Sequence, residues 1–275
     1  MHGIGSATFT ADPVVISCRP SAAAAESRWL RERCRRDGFA LFTVTDDQAD
    51  SGAILTRIAT QLGLGEPYVP AIYAHDRARF GYDSAGFNTI APTAADSRHR
   101  YFGTGAAQGF HTDGTLEPIG TVGTSLLWFQ RAALEGGHTT IFRATDAFDM
   151  LRRSDPPAAE SLMADDALTR IATSLHPQQR HTGPAFAELK ARVRTRWADD
   201  GNQIWHLDNA PARARAVALL RELAQPGSPF RLDLPVKSRT GLLLANSRVA
   251  HGRTAFRAAP GERILVRGLY TGEVG

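Results

Sequence analysis

"GFHTDGTL", residues 109–116, sets a histidine and a carboxylate two positions apart, His111 and Asp113, directly before a glycine. On a β-strand, residues i and i+2 point to the same face. Two ligands roughly 6–7 Å apart along a strand can then converge on one metal ion. A second triplet of this kind, "HLD", holds His206 and Asp208, and the spacing alone does not choose between the two. The rest of the chain has to.

The chain has 275 residues, enough for one large domain, and 43% of them are apolar, enough for a sizeable core. No apolar run approaches the ~18 residues that span a bilayer. The opening "MHGIGSATFTADPVV" lacks the basic-then-apolar order of a signal peptide, so a soluble cytoplasmic protein is expected. Two cysteines, Cys18 and Cys34, are too few for a disulfide framework and read as free structural thiols. The net charge is +4, but the basic residues are spread out and often beside acidic ones. No recognition motif accompanies them, so a nucleic-acid partner is not expected. The densest run, "RWLRERCRRDG", reads as a helix whose Trp29, Leu30 and Cys34 face inward.

Residues 26–36 are expected to be helical and to stop near Gly38, with "FALFTV", 39–44, a buried strand. Ile54, Leu55, Ile58 and Leu62 recur at helical spacing and end at Gly63 and Gly65. Residues 66–108 carry no period and are expected to form a variable lid or substrate wall within a single domain, 1–275. Beyond Asp113, "GTSLLWFQ", "LEGGHTTIFRA", "FRLDLPV", "TGLLLANSRVAH" and "RILVRGLYTG" read as strands. "TDAFDMLRR" reads as a helix capped by Thr145, and "DNAPARARAVALLRELA" as one capped by Asp208 or Asn209, with Pro211 in its first turn. The fold class is mainly β with flanking helices, around a jelly-roll (double-stranded β-helix) core.

A facial metal site of two histidines and one carboxylate needs a second histidine from a distant strand. His251, in "NSRVAHGRTAF", is the only histidine of the C-terminal strand region. Asp208, read as a helix cap, would have its lone pairs occupied by backbone N–H groups. The first triplet is therefore preferred, and His206 is read as structural.

"FHTDGT", then "EGGHTTIF", "NSRVAHGRTAF" and "GERILVRGLYTG", resemble the iron(II)- and 2-oxoglutarate-dependent oxygenases, in the branch of taurine dioxygenase, clavaminate synthase and γ-butyrobetaine hydroxylase. The resemblance covers 109–148 and 241–271 well and the N-terminal hundred residues in outline. It implies that His111, Asp113 and His251 hold iron. It implies that Thr139 and Arg263, the latter twelve residues after His251, bind the distal carboxylate of the 2-oxoglutarate cosubstrate. It also sets Arg267, four residues on and so on the same strand face, near the keto-acid end. A planar arginine fork matches two carboxylate oxygens.

His138 reads as part of a Gly-Gly hairpin, Arg248 and Arg253 as structural donors beside His251, and Asn246 as a residue that could orient the strand end. The activity implied is oxidation by Fe(II), 2-oxoglutarate and O2, with release of succinate and carbon dioxide. Asp113 stands where related halogenases carry a small residue, which favours hydroxylation, desaturation or ring closure. Tyr68, Tyr73, Tyr82, Asn88, Gln108 and Trp128 are substrate-pocket candidates by position, with parts of 155–205. The expected substrate is a small polar metabolite: an amino acid, an amine or a biosynthetic intermediate. Two rivals stand beside this reading, a nucleic-acid or nucleoside-directed oxygenase and a catalytically idle metal-binding jelly roll.

Overall fold

The β-rich pattern folds into two facing sheets, with helices on their outer sides. The computed structural model describes residues 12–17, 20–45, 50–92, 103–257 and 262–274. The larger sheet runs, in spatial order, Val14–Ile16, Phe39–Val44, Thr240–Leu244, Thr124–Arg131, Ile264–Tyr270, Asn88–Ile90. The smaller runs Ala198–Asp199, Gln108–His111, Ala250–Arg253, Thr139–Phe142, Arg231–Leu234. All pairings in both are antiparallel except Val14–Ile16 with Phe39–Val44.

Alternation along the strands decides which side chain goes where. Leu127 and Phe129 point between the sheets and meet Ile141 and Leu234 of the opposite sheet, with Leu242, Leu244 and Leu265. Leu126 and Trp128, their neighbours in sequence, point outward and pack under the two N-terminal helices, against Leu30, Cys34, Leu55 and Ile58. The outer side of the smaller sheet, through Phe110, Phe142 and Ala250, is covered by Phe148, Leu151, Val217 and Leu220. Those residues lie on the helices Ala144–Ser154 and Pro211–Leu223.

The N-terminal helix runs Ala23–Asp37 and ends as expected at Gly38, whose φ of 82° and closeness to Val249 suit only glycine. The next, Ser51–Gln61, begins where Asp50 accepts from the N–H groups of Gly52 and Ala53. Cys34 is buried and free, and Cys18 lies outside the described residues. Among the described residues no helix is long and apolar enough to cross a membrane.

Several expectations are corrected. Trp29 is 51% exposed, because Glu26, Leu30, Cys34 and Asp37 fill the inward stripe of its helix. Trp128 is a core residue stacked on Phe42, centroids 6.1 Å apart, on the sheet face turned away from the smaller sheet, and is no pocket residue. Thr145 lies inside its helix, whose first-turn N–H groups receive no side-chain cap. Neither Asp208 nor Asn209 caps the later helix: Ala210 is the N-cap, while Pro211 does open it. The 66–108 segment is less irregular than expected. It contains the short helix Ala71–Ala74 and the edge strand Asn88–Ile90, and residues 93–102 lie outside the described set.

Gly241 exposes how tightly the larger sheet packs. A Cβ there would fall 1.9 Å from Cζ of Phe42, which is itself fully buried. Gly241→Ala is expected to destabilise the protein by about 1–3 kcal/mol through overpacking. Urea unfolding checks this: the midpoint should fall with the slope unchanged.

Candidate active site

The smaller sheet brings the two expected histidines together. His111 and His251 are cross-strand partners, so their side chains leave the sheet on one face, and their rings lie 4.5 Å apart. Asp113 follows as the chain turns at Gly114, φ 85°. Asn246, in the loop before the His251 strand, fixes that turn. Its Oδ1 accepts from the Asp113 N–H at 2.8 Å, and its Nδ2 donates to the carbonyls of Asp113 and Val122. Ligand atoms of His111, Asp113 and His251 all lie within 4.8 Å of one another, and all three residues are buried. The second triplet is not built this way: His206 pairs with Thr169 Oγ1 at 2.8 Å, and Asp208 is exposed.

The electrostatics suit a divalent cation. Burial pushes the His111 imidazole below its usual range, and burial together with the neighbouring His111 lowers His251 to about 3. Both rings are therefore neutral at neutral pH and keep a lone pair. His111 Nδ1 donates to the Gly109 carbonyl at 3.1 Å, which leaves Nε2 as its lone-pair nitrogen, 3.2 Å from the Gln108 amide. For Asp113, burial alone would raise the carboxyl, but Arg267 foremost, then His251 and His111, outweigh it and hold it well below the carboxylate range. Its Oδ1 accepts from Arg267 at 2.5 Å and its Oδ2 from Ser125 at 2.6 Å, while Oδ2 also faces His251 Nε2 at 3.8 Å. Arg267 is anchored in turn to Asn88 Oδ1 at 2.9 Å, its cross-strand neighbour. The arginine expected near the keto-acid end thus sits on the Asp113 carboxylate.

Two cavities meet at this cluster and share Gln108, His111 and Arg267. One lies between the sheets and is walled by Ile90, Leu127, Phe129 and Leu265, with Thr139, His251, Arg253 and Arg263 as further polar residues. Arg263 is 3% exposed, and burial lowers its guanidinium to about 9. It stacks over the Phe129 and Phe256 rings and donates to none of the described residues. A buried cation with no carboxylate partner among the described residues calls for an anion. The cavity therefore fits a dicarboxylate with one end near the triad and the other on Arg263.

The other cavity is lined by Pro70 and Tyr73, by residues 171–174, and by Asp200 and Asn202. It takes in the segment before residue 108 and part of 155–205. Of the remaining pocket candidates, Tyr82 stacks on Tyr73 and contacts Arg267, Asn88 holds Arg267, and Tyr68 pairs with Glu117.

Sequence reasoning passed over Ser125 and Arg170. Arg170, 1% exposed, donates to the carbonyl and hydroxyl of Thr112, between His111 and Asp113. No local pattern marks a long-range donor of that kind. Arg248 is structural as expected, donating to the carbonyls of Cys34 and Arg35.

Comparison with known proteins agrees with this geometry. Residues 6–270 match the family described as taurine catabolism dioxygenase TauD, TfdA family, and the chain belongs to it; it is an iron(II)- and 2-oxoglutarate-dependent dioxygenase. Two relatives are each called uridine-5'-phosphate dioxygenase. The one from an Amycolatopsis species is 37% identical over 240 residues, 85% of this chain and 84% of the relative. The one from a Streptomyces species is 37% identical over 221 residues, 79% and 78%. Among solved structures, an asparagine oxygenase bound to Fe(II), hydroxyasparagine and succinate matches with TM-score 0.65 at 16% identity, over 91% of this chain and 79% of that one. A non-heme iron oxygenase, OrfP, with Fe and alpha-ketoglutaric acid matches with TM-score 0.60 at 18% identity, over 91% and 83%. At these identities the two share the fold.

Breaking the Arg267–Asp113 pair should be costly, since both side chains are more than nine-tenths buried. Arg267→Met is expected to lower stability by about 3–5 kcal/mol, as the carboxylate loses its buried partner. Urea titration of the metal-free protein measures this; a loss under ~1 kcal/mol would mean that Ser125 and the histidines suffice.

Proposed function

We propose that this dioxygenase oxidises a small nucleotide of the uridine 5'-phosphate type, with His111, Asp113 and His251 as its iron ligands and Arg263 and Thr139 as its cosubstrate anchor. The observation that carries the substrate class is the 37% identity, over most of both chains, to two uridine-5'-phosphate dioxygenases. The solved amino-acid oxygenases share far less sequence.

Each residue has a task set by its surroundings. The neutral imidazoles of His111 and His251 present lone pairs, and Asp113 presents a permanent negative charge, a donor set suited to iron(II). Arg267 and Ser125 orient that carboxylate and keep it ionised, and Asn246 and Arg170 fix the backbone on either side of it. The apolar walls Ile90, Leu127, Phe129 and Leu265 keep water from the anchor, where Arg263 offers a fork and Thr139 a hydroxyl to the distal carboxylate. Bound there, iron, 2-oxoglutarate and O2 supply an oxidation of a substrate C–H bond, with succinate and carbon dioxide released. The second cavity admits the substrate beside His111 and Asp113, with Tyr73 offering a ring for a base and Asn202 and Ser174 polar edges. The wall between residues 66 and 108 contributes Pro70 and Tyr73 to it.

One observation favours a second reading. Asp200 lies in the substrate cavity and suits a hydrogen-bond donor, such as an amine, better than a phosphate. Succinate release with uridine 5'-phosphate, uridine, other nucleotides and amino acids separates the two. Turnover with uridine 5'-phosphate and none with amino acids is expected; the reverse would move the substrate to the amine class. On the metal side, alanine at 111, 113 or 251 should abolish iron binding in equilibrium dialysis, whereas His206→Ala should retain it. Loss of iron with His206→Ala alone would mean that the other triplet holds the metal.

A further inference from the structure

Arg253, read from sequence as a structural donor, lies in the same cavity as Arg263 and Thr139. It extends from the strand that carries His251. Its guanidinium stands 4.7 Å from the Phe256 ring centroid, and that of Arg263 stands 4.9 Å from the same centroid. One ring thus serves two cations. Through Nη2, Arg253 donates to the carbonyls of Thr104 at 3.1 Å and Ala106 at 2.6 Å. Between them Gly105 accepts from the Phe256 N–H at 3.0 Å, and a Cβ at Gly105 would lie 2.4 Å from the Phe256 carbonyl oxygen. Residues 104–106 are thereby fastened to the cavity rim, two positions before the strand of Gln108 and His111.

Among the described residues no carboxylate pairs with Arg253 or Arg263; the ion pairs run between other groups. Two like charges, 8% and 3% exposed, face one small cavity. Such an arrangement is unfavourable empty and becomes favourable once an anion lies between them.

We propose that Arg253 is a second cationic positioning residue of the cosubstrate cavity, holding the Arg263–Phe256 pair and the 104–106 segment in the arrangement that receives the distal carboxylate. This rests on the cavity being the 2-oxoglutarate site. Arg253 acts on the far end of the ligand, so its contribution depends on a carboxylate being there. A residue needed only for folding would affect every ligand of the cavity alike.

The test is anaerobic equilibrium binding to iron-loaded protein, using 2-oxoglutarate and 2-oxopentanoate, which lacks the distal carboxylate. Arg253→Met and Arg253→Lys are compared with Arg263→Leu and the native chain. Arg263→Leu should weaken 2-oxoglutarate thirtyfold or more. Arg253→Met should weaken it about tenfold and leave 2-oxopentanoate within twofold, with iron affinity unchanged. Arg253→Lys keeps the charge but not the planar fork that reaches two carbonyls, and should fall between. Hydrogen exchange at 103–107 should quicken in Arg253→Met. If Arg263→Leu weakens binding while both Arg253 variants bind as the native chain does, Arg253 has no such role. Equal weakening of both ligands by Arg253→Lys overturns it as well, also where Arg253→Met fails to fold. If Arg263→Leu itself binds 2-oxoglutarate normally, the assignment of the cavity fails instead.

Discussion

The Arg267–Asp113 ion pair is the constraint on which the site depends. A carboxylate buried among two imidazoles and apolar strands would take up a proton unless something compensated its charge. Arg267 does so from the opposite sheet, and Asn88, its cross-strand partner, holds the guanidinium in place. Buried pairs of this kind contribute little net stability. What this one secures is an ionised, oriented carboxylate at the point where both sheets and both cavities meet. The pairing of Asn88 with Arg267 in one sheet and of His111 with His251 in the other must both be in register for the triad to exist.

Two cavities of different character join at His111. The inner one is apolar, with cations at its far end, and suits a dicarboxylate that must be held dry. The outer one is polar and is bordered by the segment before residue 108 and by the end of the small sheet of Leu168–Ala172, Gln179–Gly183 and Gln203–Trp205. Arg170 belongs to that small sheet yet grips Thr112, so the wall of the outer cavity and the turn that carries Asp113 are tied by a direct bond. The division fits a family whose members keep a common cosubstrate and differ in what they oxidise.

Much of this was legible in the residues, and the failures share a cause. The helix ending at Gly38, the strands from 124 onward and the convergence of His111, Asp113 and His251 depend on periodicity and on motifs that are local in sequence. Caps at Thr145 and Asp208 were misread because capping depends on the dihedral angles of a single residue, and the neighbouring Arg143 and Ala210 take those positions. The capping argument against Asp208 fails; what distinguishes the two triplets in the fold is that His111, Asp113 and His251 converge and are buried, whereas His206 contacts Thr169 and Asp208 is exposed. Trp29 and Trp128 were misplaced because hydrophobicity says that a side chain is to be buried, not which of two faces buries it. Arg170 and Ser125 act over separations that only the folded sheets bring together.

The central claim is that the three converging ligands hold the iron and that the inner cavity holds the cosubstrate. Anomalous diffraction at the iron edge, from crystals grown anaerobically with Fe(II) and 2-oxoglutarate, tests both at once. One iron peak bonded to His111 Nε2, an Asp113 oxygen and His251 Nε2 is predicted, with continuous density for 2-oxoglutarate running to Arg263 and Thr139. A peak beside His206 and Asp208, or 2-oxoglutarate density lying in the outer cavity, would contradict the account.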